Sequence, residues 1–187
     1  AMAVMLTPVG REEDDRSYGR TSDEPIEKAR LFLIKCWQGH GYRTKGYKVG
    51  WKNDVYGREA AYAMRDWCRL PGRITKVVER LREVQIEHMD ALDLIGRYNH
   101  DNVLLYVDPP YVLGTRTGEI YNHEMTDAQH ELLLKLLLQH TGAVMVSGYD
   151  SELYNDYLQK WTRCEFQTTA QRGLPRTEVL WMNYDTP

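Results

Sequence analysis

Residues 102–111 read NVLLYVDPPY. The run through Val107 is almost continuously apolar, as a buried parallel strand would be. Asp108 closes it, and Pro109 and Pro110 cannot extend a ladder because they lack N–H donors. The two prolines fix an extended backbone and hold the Asp108 carboxylate and the Tyr111 ring rigidly apart. A carboxylate, a fixed proline carbonyl and a flat ring suit one task well. The two acceptors can take both protons of an exocyclic amine while the ring stacks on its heterocycle. The same four residues suit, equally, a strand-ending turn with a packed tyrosine.

Downstream, a loop covers 109–125, and Thr126 with Gln129 three residues on forms a capping box. The helix it opens runs through LLLKLLL to about His140. AVMVS at 143–147 is a second buried strand, and 151–161 is a helix capped by Asp150 or Ser151. Strands at 165–169 and 177–184 are close enough to pair antiparallel. Upstream, 91–97 is a short helix, and 84–90, VQIEHMD, alternates like a strand. In 73–83 Ile74, Val77, Val78 and Leu81 fall at helical spacing. Pro71-Gly72 reads as a break, and 57–67 as helical. Residues 38–57 carry five glycines among Tyr, Trp, Lys and Arg, which predicts hairpins or a long loop. A helix over 25–38 starts from Ser22 or Asp23 with Pro25 in its first turn. Residues 1–24, with the run Arg11–Glu12–Glu13–Asp14–Asp15–Arg16, read as an irregular lead-in. Strands and helices in this order imply an α/β sheet with parallel crossovers. Ligands in such sheets bind beyond the carboxyl ends of the strands. That directs attention to Asp108–Pro109–Pro110–Tyr111 and to Ser147–Gly148–Tyr149–Asp150.

The chain has 187 residues, 42% of them hydrophobic, enough for a core. No apolar run approaches the ~20 residues of a membrane span, and the first six residues are too short for a signal peptide. A cytoplasmic protein with no membrane contact is expected. Three scattered cysteines argue against a disulfide framework and suit packing. The six histidines show no ligand spacing, so no metal is expected. The net charge of −3 hides an asymmetry: residues 35–82 hold twelve Lys or Arg against four Asp or Glu, a balance of +8. Such a block suggests a polyanion contact, although a solvated basic face would look the same.

LLYVDPPYV resembles motif IV, (D/N/S)PP(Y/F), of the Dam-like, D12 class DNA adenine-N6 methyltransferases. The ordered set VQIEHMDAL, LLYVDPPYV, YNHEMTDAQHELL, VMVSGYDSELY and RTEVLWMNY resembles the phage and prophage branch of that family and covers most of 25–184. The resemblance implies a Rossmann-like sheet, mostly parallel with a C-terminal antiparallel pair. It implies a catalytic domain over 25–187 with a DNA-recognition insertion at 38–70. A target adenine would be flipped out of double-stranded DNA. Tyr111 would stack on it, Asp108 and the Pro109 carbonyl would accept from its amino group, and Pro110 would set the turn. The methyl group would come from S-adenosylmethionine, without a metal. Asp90-Ala91, and Asp108 itself, would meet the cofactor, though Asp90 also suits a helix N-cap. Ser147 and Tyr149 would shape the base pocket. Tyr121 would line it, or pack in a hairpin. Arg43, Lys45, Lys48 and Lys52, with Trp51, sit where the family places its recognition segment and would hold phosphates.

The family's FxGxG motif I has no counterpart in residues 1–24. The fold is therefore expected to be incomplete at its N-terminal side: a truncated form, a split product whose motif I comes from a second chain, or a decayed relative, with the apolar edge left for a partner or a homodimer to cover. The alternative to an enzyme is a non-catalytic nucleic-acid- or partner-binding remnant of the fold. A methyltransferase acting on RNA adenine or protein glutamine is a third reading.

Overall fold

The computed structural model describes residues 1–19, 21–40, 48–56, 62–115, 123–169 and 175–185. The chain forms two compact units, Ala1–Ile86 and Glu87–Pro187.

The first unit is helical among its described residues. Helices α1 (Met2–Met5) and α2 (Arg11–Gly19) occupy the segment expected to be irregular. The expectation failed because α2 turns a polar face inward, so no apolar period marks it. Asp14 and Ser17 are its buried residues, and Ser17 Oγ donates to the Asp14 carbonyl at 2.7 Å. Arg30 of α3 (Pro25–Gln38) donates to Glu13 at 2.6 Å, to Glu27 at 2.7 Å and to the Thr7 hydroxyl at 3.1 Å. Those bonds, and Gln38, tie the first residues down. Gln38 donates to the Pro8 carbonyl and accepts from the Gly10 N–H. The cap of α3 is Glu24, not Ser22 or Asp23: its carboxylate accepts from the N–H groups of Ile26 and Glu27, and Pro25 takes the first turn. Val4, Ile34, Trp67 and Leu70 form the core, with the Trp67 indole N–H donating to the Thr7 carbonyl at 2.7 Å.

Helix α4 (Tyr62–Leu81) runs through Pro71-Gly72, where the sequence predicted a break. A proline inside a helix removes one ladder bond and crowds the carbonyl four residues back. Here Trp67 and Leu70 before it and Ile74 after it all pack on one core, and that burial outweighs the local cost. Beyond it the stripe leaves the core: Val77, Val78 and Leu81 are exposed. Gly39 and Trp51 form an isolated antiparallel bridge, with His40 N–H donating to Gly50 and Lys52 N–H to Gln38. A side chain at position 39 would stand 2.9 Å from the Lys35 carbonyl and from Val49, so this close approach requires glycine. The bridge lies in the stretch 38–57, where hairpins or a long loop are expected, and residues 41–47 lie outside the described residues. Residues 84–90 pair with no strand among the described residues. Their alternation suits a strand, but a strand needs a ladder partner to satisfy its backbone.

Asp14 is fully buried, and neither carboxylate oxygen has a hydrogen-bond partner among the described residues. Burial raises its pKa above the ordinary 3.8, with Lys48 opposing. A carboxyl whose pKa is raised on folding favours the fold below 3.8, and that contribution is lost as pH rises through the folded value. Asp14→Asn is therefore expected to be more stable than wild type at pH 7, the difference shrinking toward pH 4. Urea midpoints across that range measure it, and a variant less stable at pH 7 would refute it.

The second unit is α/β. Its elements are α5 (Ala91–Arg97), β1 (Leu104–Val107), a 3₁₀ turn at Leu113–Thr115, α6 (Asp127–Leu138), β2 (Ala143–Tyr149), α7 (Glu152–Tyr157), β3 (Thr162–Thr169) and β4 (Pro175–Met182). The sheet order is β1-β2-β4-β3. β1 and β2 are parallel, Leu104 opposite Ala143, and α6 makes the crossover. β4 runs antiparallel to both β2 and β3. The C-terminal antiparallel pair is present, but among the described residues the sheet is not mostly parallel: one of three pairings is. The hairpin of β3 and β4 folds back and places its second strand against β2. The Thr126–Gln129 capping box opens α6, and Ser151 caps α7.

Leu133, Leu134 and Leu137 of α6 pack on Val144 and Val146 of β2 and on Val179 and Trp181 of β4, with Tyr154 and Leu158 beside them. β1 is not buried on both faces as its apolar run predicted. Leu105 and Val107 face this core, while Leu104 and Tyr106 on the other face are exposed, each at 61%, and β1 is an edge strand of the sheet among the described residues.

Candidate active site

β1 ends at Val107, and the first residue past it, Asp108, is exposed at the carboxyl end of the sheet. Parallel pairing puts Val107 opposite Val146, so Ser147 on β2 lies beside Asp108. The Ser147 hydroxyl donates to Asp108 Oδ1 at 2.8 Å. It also lies 3.4 Å from the Val107 carbonyl and accepts from the Tyr106 hydroxyl at 3.3 Å. One carboxylate oxygen is thereby held by a buried serine. Pro109 is buried behind it.

Tyr111 stands half-buried with its ring 4.6 Å from that of Tyr149, at an interplanar angle of 74°. Edge-to-face packing of this kind favours one ring orientation. Burial pushes the Tyr111 phenol above its ordinary 10, and the charges of Asp108 and then Glu178 add to the shift, with the Ser147 hydroxyl opposing. The phenol is therefore neutral across the physiological range. Arg176, at the start of β4, lies 5.7 Å over the Tyr149 ring and donates from Nη1 to the Thr115 carbonyl at 3.3 Å.

The structure thus brings together Asp108, Pro109, Pro110, Tyr111, Ser147 and Tyr149 from two sequence segments. Asp90 stands at the N-terminus of α5, where its side chain accepts from the Leu92 N–H at 2.8 Å. It is an N-cap, the alternative role that its sequence also suited, and Ala91 is the first residue of the helix. Neither bonds to the Asp108 cluster among the described residues. Asp150 accepts from Asn155 and Arg163, both at 2.8 Å, which hold its carboxyl below the usual range. In the first unit Lys48 is ion-paired with Asp15, and Lys52 donates to the Trp37 carbonyl at 3.1 Å. Arg43, Lys45 and Tyr121 lie outside the described residues. Tyr106 and Arg176 were missed from sequence. Tyr106 looks like one more strand residue, and only the parallel register turns its hydroxyl to Ser147.

A family model for the D12 class N6 adenine-specific DNA methyltransferases matches residues 42–171, and so spans the whole Asp108–Asp150 region. The chain belongs to this family. No curated protein matches it. The membership gives the Asp-Pro-Pro-Tyr segment a context: an acceptor pair beside a braced ring lies within a D12 methyltransferase domain. It also accords with the mixed α/β sheet. No helix among the described residues is long and apolar enough to cross a membrane.

Ser147→Ala removes the hydroxyl that orients Asp108 but leaves the carboxylate. A small misplacement of an acceptor costs up to ~10²-fold in rate. If the chain transfers methyl groups as proposed below, the variant is expected to lower the single-turnover transfer rate at saturating DNA about 10-fold. An unchanged single-turnover rate would deny Ser147 that role.

Proposed function

We propose that this chain methylates N6 of adenine in double-stranded DNA, with S-adenosylmethionine as methyl donor and residues 108–111 as the base site. The observation that carries the reading is the held carboxylate: Asp108 has one oxygen on Ser147, and the ring of Tyr111 is braced three residues on. An adenine extruded against Tyr111 stacks on its ring. The second Asp108 oxygen and the Pro109 carbonyl accept from the exocyclic amine. That amine is a poor nucleophile because its lone pair is delocalised into the ring. Acceptors that favour a tetrahedral nitrogen localise the lone pair for in-line attack. Pro110 keeps the two acceptors and the ring in fixed relation.

The acceptors present fit a cationic donor: Asp108 is an exposed carboxylate, and Asp90 uses one oxygen on the Leu92 N–H, leaving the other for a cofactor hydroxyl or amine. When bound, the cofactor supplies a methyl group on a sulfonium. Ala91, beside Asp90, is small enough to let an adenine approach. Ser147 and Tyr149 shape the base pocket, and Tyr121 is assigned to its lining. Lys48 and Lys52, together with Arg43 and Lys45, are assigned to phosphates within a recognition insertion at 38–70 of a catalytic domain over 25–187. Lys48 and Lys52 would exchange their present partners for DNA. The edge of β1, with Leu104 and Tyr106 exposed, supports the idea that a further segment, from a second chain or a second copy, completes the sheet and the cofactor cradle.

The test uses the purified chain, a random-sequence duplex pool and isotopically labelled S-adenosylmethionine, with N6-methyladenine read by mass spectrometry after nucleoside digestion. Labelled N6-methyladenine is expected. Its absence, with no calorimetric heat at millimolar cofactor, would leave the chain as a non-catalytic member of its family. An RNA pool run in parallel separates the two nucleic acids.

A further inference from the structure

The second unit holds fifteen Asp or Glu against seven Lys or Arg, an unfavourable field for a polyanion that must reach Asp108. Among the described residues, three of its cations are engaged. Arg163 is bonded to Asp150 and Glu165, Lys135 lies 3.3 Å from Glu131, and Arg97 lies 3.7 Å from Glu87. Arg176 differs. It has no ion pair among the described residues, and it stands at the ring pair itself, over Tyr149 and bonded to the Thr115 carbonyl. Tyr149 in turn braces Tyr111. One N–H of the guanidinium is used on a carbonyl, and the others face no carboxylate within ion-pair distance among the described residues. A stacked guanidinium is already ordered and presents a planar fork that matches phosphate geometry.

We propose that Arg176 binds a phosphate of the nucleotide extruded into the Asp108–Tyr111 site. The inference rests on the base-site reading above. It gives the site the cation that Asp108, Tyr111, Ser147 and Tyr149 do not supply. It also couples phosphate binding to ring position, since the group that takes the phosphate lies on Tyr149. The loop residue Thr115 is held to β4 by the same side chain.

The experiment measures binding by fluorescence anisotropy across a salt series, using a duplex with one unpaired adenine and the same duplex fully paired. Methyl transfer by the wild type is measured alongside. The wild type is expected to prefer the unpaired adenine. Arg176→Gln is expected to lose about 10-fold in affinity for that duplex, and to reduce the slope of log affinity against log salt by about 1. Binding to the paired duplex should change little. Arg176→Lys should keep the slope and lose part of the affinity, because a point charge neither stacks nor forks. Lys160→Gln, in the same unit, should change neither. Unchanged binding in Arg176→Gln would overturn the assignment, as would an equal loss on both duplexes. Circular dichroism checks the fold of each variant. If the glutamine variant is unfolded, Arg176→Lys decides, and a lost slope there overturns the proposal. A wild type that methylates while Arg176→Gln binds normally sinks Arg176 alone. A wild type that neither methylates nor prefers the unpaired adenine sinks both readings.

Discussion

Asp108→Ala is expected to reduce methyl transfer by at least ~10³-fold, about 4 kcal/mol of transition-state stabilisation, while the fold stays intact. The size follows from the acceptor role proposed above for the carboxylate. It is the acceptor placed at the end of β1, held at 2.8 Å by Ser147 and followed directly by the proline carbonyl. In the proposed mechanism, its loss leaves the lone pair of the exocyclic amine delocalised in the ring. The stability expectation follows from exposure: Asp108 lies at the surface, and its loss frees a hydroxyl that can turn to the Val107 carbonyl. Asp108→Asn retains an acceptor oxygen, so a milder loss of about 10-fold is expected. Single-turnover transfer and thermal melts on both variants decide the matter. Alanine activity near that of wild type would remove Asp108 from the chemistry.

Trp181→Ala is expected to cost the second unit about 3–5 kcal/mol, the usual range for a large aromatic lost from a core. Trp181 is 1% exposed, on β4 opposite Val146 of β2 and Arg163 of β3. Its ring packs 5.2 Å from that of Tyr154, and its indole N–H donates to Asn155 of α7 at 3.3 Å. It also covers Gly148, where an added side chain would come within 3.3 Å of the ring. One side chain therefore joins sheet, helix and the backbone next to Ser147. Net stabilities are about 5–15 kcal/mol, so this loss is a large share of the whole. Urea unfolding should show a lower midpoint, and Trp181→Phe a cost of only about 1–2 kcal/mol. A midpoint unchanged in the alanine variant would contradict the packing described.

Much of the second unit was legible in the chain because its signals are local. Thr126 and Gln129 satisfy each other's backbone across one turn, and apolar runs of strand length mark β1 and β2. The Asp-Pro-Pro-Tyr segment carries its own backbone constraint wherever it is placed. The first unit was harder to read. Helix α2 hides because its inward face is Asp14 and Ser17, and α4 crosses a proline because three residues around it share one core. Residues 84–90 have the period of a strand and no partner to pair with among the described residues.

By itself, then, the sequence determined the α/β character of the second unit, its caps, and the segment that carries a carboxylate, a proline carbonyl and a ring at fixed spacing. These depend on neighbours within a few residues. Only the tertiary structure decided that β1 is an edge, that β4 joins the sheet antiparallel, and that Ser147 holds Asp108. It alone placed Arg176 over Tyr149. Such contacts join residues about thirty to sixty positions apart, and which of them meet depends on strand register, which no local pattern encodes.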